Sequence, residues 1–165
     1  MLIRLAALGL LLVVLFQLLR LAMGLRQAKR ARERVRAEEE ARGARVLAEI
    51  PLSDAEVVFL VEDQGSFRWG SASVRKDDVR GARLLVNGAV LQEFAVAGAP
   101  LPAPEAPEEY EGRERWEVRV YVEGGGAVAI PCGTLREGVS REIAGRVFEA
   151  VQAAARTGRP EPAGP

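Results

Sequence analysis

Hydrophobic and polar positions change their rhythm three times along the chain. Residues 2–25 form an almost unbroken apolar run, in which Arg4, Gln17 and Arg20 are the polar side chains. A membrane-spanning helix needs about 20 mostly apolar residues, and arginines near its ends can reach the headgroups. The run therefore predicts a transmembrane helix over 1–25. From 26 to 50 the rhythm is lost, and Arg, Ala and Glu dominate. These are good helix formers, so a charged helical neck is expected until Pro51 stops it. Its heptad positions hold too few apolar residues for a coiled coil, which leaves a solvated spacer.

After Pro51 the period becomes two. An apolar run from Ala55 to Val61, the turn Gln64-Gly65 and the alternating Phe67 and Trp69 read as a hairpin. Residues 71–74 continue extended, and Lys76, Asp77 and Asp78 make a polar corner. Ala82, Leu84 and Val86 lead into Asn87-Gly88, the strongest short hairpin signal, because both residues accept positive φ. Residues 90–96 return. Residues 98–114 interrupt the sheet with Pro100, Pro102, Pro104 and Pro107 among glutamates. Proline cannot join a ladder, so a long acidic loop is expected there, permissive to change or, in a sharper reading, a recognition segment. Trp116, Val118, Val120 and Val122 then face one way and Glu117, Arg119 and Tyr121 the other; three glycines turn the chain, and 127–132 returns. The last change is to period four. Val139, Ile143, Val147 and Val151 mark an amphipathic helix, with Ser140, or Thr134 with Glu137, as its cap. Residues 159–165 are expected to be a disordered tail.

Charge sharpens the first part of this picture. The net charge of the 165 residues is zero, but 1–50 carry ten Arg or Lys against five Glu, and 51–165 carry thirteen against eighteen acids. Arg26, Lys29, Arg30, Arg32, Arg34 and Arg36 crowd directly behind the apolar run. Positive charge beside a span stays on the cytoplasmic side. This predicts a signal-anchor, a single pass through the inner membrane and a C-terminal domain in the cytoplasm. A cleaved signal ending near Ala22 or Gly24, and hence a secreted protein, is the alternative. Basic residues there would also meet anionic lipid of the bilayer. The acidic body excludes a general nucleic-acid binder. One cysteine, Cys132, forms no internal disulfide.

Candidate chemistry is sparse. There is no histidine, and no Walker loop, Cys-x-x-Cys or Gly-x-Ser-x-Gly occurs. Cys132 has no evident partner to lower its pKa, and Asp77-Asp78 reads as a solvated corner. Trp69 and Trp116 read as core. No enzyme, no cofactor and no metal site is expected.

Phe67-Arg-Trp-Gly and the stretch from Val79 to Gly88, with Asp78-Val79 between strands, resemble the early strands of bacterial PH-like domains, members of the pleckstrin-homology superfold. The resemblance covers about 53–156. It implies an α+β fold in which a bent antiparallel sheet or barrel of six to seven strands, within 51–158, is capped by a C-terminal helix. It also implies a non-catalytic binding or scaffolding domain with a protein partner. A small accessory subunit of a membrane complex and a ligand-sensing regulator are the other expectations; a superfold does not carry a function with it.

Overall fold

Gly43 marks where helix gives way to sheet. Helix α1, Leu2–Ala41, ends there, and Gly43 at φ 78° supplies the left-handed residue that closes a helix. Strand β1, Arg45–Pro51, follows at once. The helical neck expected to reach residue 50 is corrected accordingly. Its last seven residues have helix-forming composition, but Leu47, Ala48 and Ile50 are buried, and burial overrides propensity. The computed structural model describes residues 2–51, 57–105, 112, 114–133 and 137–157, with side chains described at all of these except 2–14, 22, 25, 28, 51 and 137. The chain divides into two units, Met1–Arg42 and Gly43–Pro165.

The first unit is α1. Among the described residues no helix is long and apolar enough to cross a membrane. The described side chains of α1 begin at Leu15, and from there Gln17 and Arg20 interrupt the apolar residues before the basic stretch starts at Arg26. This finding overturns the transmembrane anchor over 1–25 and what was built on it: the signal-anchor and the single-pass inner-membrane location with a cytoplasmic C-terminal domain. The earlier part of the apolar run, residues 2–14, has its side chains outside the described set.

Among the described residues the second unit holds eight strands in two antiparallel sheets. The first sheet is ordered β1-β2-β3-β4, with β2 Val57–Glu62, β3 Ser66–Trp69 and β4 Ala72–Arg75. A bulge between Val46 and Ala48 lets both Leu47 and Ala48 turn inward. A 3₁₀ turn, Lys76–Asp78, leads into the second sheet. That sheet is ordered β6-β5-β7-β8, with β5 Val79–Val86, β6 Ala89–Ala95, β7 Trp116–Val122 and β8 Ala127–Gly133. Asn87 at φ 49° and Gly88 at φ 80° form the turn between β5 and β6. The expected bent sheet or barrel of six to seven strands is thus corrected to two four-stranded sheets, the additional strand being β1. The expected start of the first strand at Ala55, Thr134 and the tail 159–165 lie outside the described residues.

Helix α2, Glu137–Thr157, closes the core. Ile143, Ala144, Val147, Phe148, Val151 and Ala154 are buried against both sheets, while Val139 is exposed. A strict four-residue repeat drifts by about 40° per step on a helix of 3.6 residues per turn, which carries Val139 off the buried face. Ser140 lies inside α2 and is buried, so it does not cap it. Phe67, Leu60, Ile50, Val118, Val120, Ile130 and Val147 are fully buried; burying such a side chain contributes about 1.5–3 kcal/mol.

Candidate binding site

Alternation in β5 and β7 sends Ala82, Leu84, Val118 and Val120 into the core and Gly81, Arg83, Arg119 and Tyr121 to the opposite, outer face. An outer face with this composition is expected to be solvated. Instead Arg83, Glu117 and Tyr121 are buried, Arg83 being only 4% exposed. Over Arg83 and Tyr121 lie residues 99–105, part of the segment expected to be a permissive loop. Ala99 N–H donates to the Val96 carbonyl (3.0 Å) and turns this strap back over the sheet. Leu101 then settles above Gly81, where a Cβ would stand 2.8 Å from Leu101 Cδ2 and 2.5 Å from the Phe94 carbonyl oxygen.

Arg83 is the centre of the face. Its Nη2 donates to the Pro102 carbonyl (2.7 Å), its Nη1 to the Tyr121 hydroxyl (3.0 Å) and its Nε to Glu93 Oε2 (3.0 Å). The guanidinium also lies 5.2 Å from the centroid of the Tyr121 ring, within cation–π range. A buried guanidinium survives only with such partners; hydrogen bonds to charged groups contribute about 1.5–3 kcal/mol each.

Arg119, directly opposite Arg83 in the register, holds the end of the strap. Its Nη1 donates to Glu105 Oε2 (2.9 Å), and its Nη2 and Nε donate to Glu117 Oε1 (2.8 and 3.2 Å). The Glu105 hydrogen bond raises the Arg119 pKa; burial opposes it, and Glu117 adds to the rise. The Glu105 side chain is nonetheless 80% exposed, and an ion pair of that kind is worth only about 0.2–1 kcal/mol. Arg115 stands 3.9 Å from Glu117 on its other side. Its backbone N–H donates to Asn87 Oδ1 (2.8 Å), which ties it to the β5–β6 turn.

Between Arg83, Arg115, Arg119, Tyr121 and Glu105 lies a cavity of about 20 Å³, room for about one water molecule. A wider hollow of about 200 Å³ lies under the start of the strap, lined by Arg80, Leu101, Pro102, Tyr121 and the glycines of the β7–β8 turn. On this face Arg83, Arg115 and Arg119 meet Glu93, Glu105 and Glu117.

The residues singled out from the sequence lie elsewhere. Arg26, Lys29, Arg30, Arg32, Arg34 and Arg36 are all exposed along α1, with Lys29 3.8 Å from Glu33. Cys132 is fully buried, and burial, with a smaller contribution from Glu117, pushes its thiol up to about 12 against the lowering effect of a hydrogen bond at Val118. Asp77 lies 3.8 Å from Arg75 in an exposed pair, and among the described residues no group of acids or cysteine is placed to hold a metal. Trp69 and Trp116 are core. Arg83, Arg115, Arg119 and Tyr121 were not singled out. Their one signal is an Arg-and-Tyr alternation opposite an apolar face, which is also how an ordinary wet sheet face reads.

Comparison of the chain with protein-family models, with curated proteins and with solved structures gives no match. The resemblance to PH-like domains therefore rests on the residues quoted for it alone.

Proposed function

We propose that this protein is a non-catalytic binding module whose binding face is Arg83, Arg115, Arg119 and Tyr121, and that it takes an anionic segment of a partner protein. The observation that carries the reading is the gathering of three guanidiniums on one sheet face of a domain whose overall balance is acidic. Arginine offers a planar fork of donors that matches carboxylates, and it keeps its charge at all ordinary pH. The absence of histidine and the depth of Cys132 favour binding over catalysis.

The test uses the full chain and a fluorescent hexaglutamate peptide, read by anisotropy at low salt. Glu105→Ala protein, whose Arg119 has lost the strap carboxylate, is expected to bind it. Adding Arg115→Gln and Arg119→Gln is expected to weaken binding by about tenfold or more, equivalent to about 1.4 kcal/mol, and added salt should weaken it further. Binding that is absent, or that ignores the arginine substitutions, overturns the reading.

A further inference from the structure

We infer that residues 99–105 are a resident occupant of this face, and that the partner which displaces them is an extended peptide segment carrying an apolar side chain four residues before a carboxylate. The inference rests on the binding face proposed above and adds what the ligand looks like and how access to it is controlled.

Three of the contacts that the strap makes with this face are of a kind that an incoming peptide can reproduce. Leu101 occupies the slot that Gly81 leaves open. The Pro102 carbonyl accepts from Arg83. Glu105 accepts from Arg119. Apolar side chain, main-chain carbonyl and carboxylate thus follow one another along one short stretch. Pro100, Pro102 and Pro104 favour an extended backbone and remove amide donors there, so the strap meets the sheet by its carbonyl and side chains rather than as a further strand.

The hold is uneven. Leu101 is half-buried, residues 102–105 are exposed, and the Glu105 side chain lies almost wholly in solvent. The outer anchor is therefore the weak one, and a competing carboxylate can reach Arg119 first. A small anion fits less well. The cavity of about 20 Å³ beside the arginines holds about one water, and the contact Arg83 makes with the strap is to a peptide carbonyl.

The experiment compares full-length wild type with Glu105→Ala. The probe is a labelled decapeptide copying residues 100–109, Pro-Leu-Pro-Ala-Pro-Glu-Ala-Pro-Glu-Glu. The substituted protein should bind it about fivefold more tightly, the factor expected when an exposed ion pair no longer competes. The same peptide with Ser in place of its Leu should bind more weakly to both proteins. The amide chemical shifts of Leu101, Ala103 and Glu105 of the wild type should move as the peptide is added, because the strap leaves the sheet face. Equal affinity for the two proteins, or unchanged shifts, overturns the strap as occupant, even where hexaglutamate still binds through the arginines. Equal affinity for the Leu and Ser peptides, or displacement of the probe by inorganic phosphate at the same concentration as unlabelled peptide, overturns the peptide class.

Discussion

Gly81 shows how much one missing side chain decides. Its φ is unexceptional; what it supplies is room. A Cβ would lie 2.5 Å from the Phe94 carbonyl oxygen on β6 and 2.8 Å from Leu101 of the strap. The first neighbour is backbone in a paired strand and cannot swing aside. Gly81→Ala should therefore destabilise the fold by about 1–3 kcal/mol, the usual cost of overpacking, and loosen the strap. The midpoint of urea unfolding checks this; a change below about 0.5 kcal/mol, the level of an ordinary surface substitution, would refute it. Arg83 shares the arrangement, because the Pro102 carbonyl it donates to directly follows Leu101 in the strap.

Among elements, the corner joining β1, β2 and the 3₁₀ turn is held by charge. Glu62 accepts from Lys76 (3.0 Å) and from Arg45 (2.6 Å), and Lys76 lies 5.5 Å from the centroid of the Phe67 ring. Burial raises the Glu62 pKa, but the hydrogen bonds and charges of Lys76 and Arg45 outweigh it, and the net shift is below the ordinary value of 4.5. Asp63, accepting from Ser66 and Gly65 at the adjacent turn, is lowered in the same way. A carboxylate with a depressed folded pKa contributes its full stability above the unfolded pKa and loses it as pH falls through the folded one. Stability should hold from neutral pH down to about 5 and decline below about 4.5. Glu62→Gln should lower stability at neutral pH and flatten part of that decline. Denaturant midpoints across this range decide the matter; an acid slope identical to wild type counts against the network.

At the scale of the whole molecule, β1 matters because it completes the core. Leu47 and Ile50 belong to the same cluster as Leu60, Phe67, Trp116 and Val147. A fragment that begins at Gly43 should fold by itself, whereas one that begins after Pro51 should not, since β2 would lose its outer partner and the core two large apolar side chains. Circular dichroism and thermal melts of the two fragments test this. In the longer fragment Val147→Asp should abolish the cooperative melt, because a charge would enter a fully buried position. Equal stability of the two fragments would show that β1 is dispensable.

The sequence by itself determined the elements whose signals are local. The type I′ turn at Asn87-Gly88, the inward set Trp116, Val118 and Val120, and the final amphipathic helix are legible because turn chemistry and side-chain period act within a few residues. Even the end of α1 had its mark in Gly43, although it reads equally as a weak point within a helix. Tertiary structure alone decided the rest. Arg45, Val46, Leu47, Ala48 and Glu49 carry helix-forming composition and become a strand because β2 and the core are there to receive them. Residues 99–105 carry the composition of an open loop and become a cover because Gly81, Arg83 and Arg119 present a slot, a donor and a charge at matching points. Such contacts join residues ten or more positions apart, and no periodicity along the chain records which distant residues will meet.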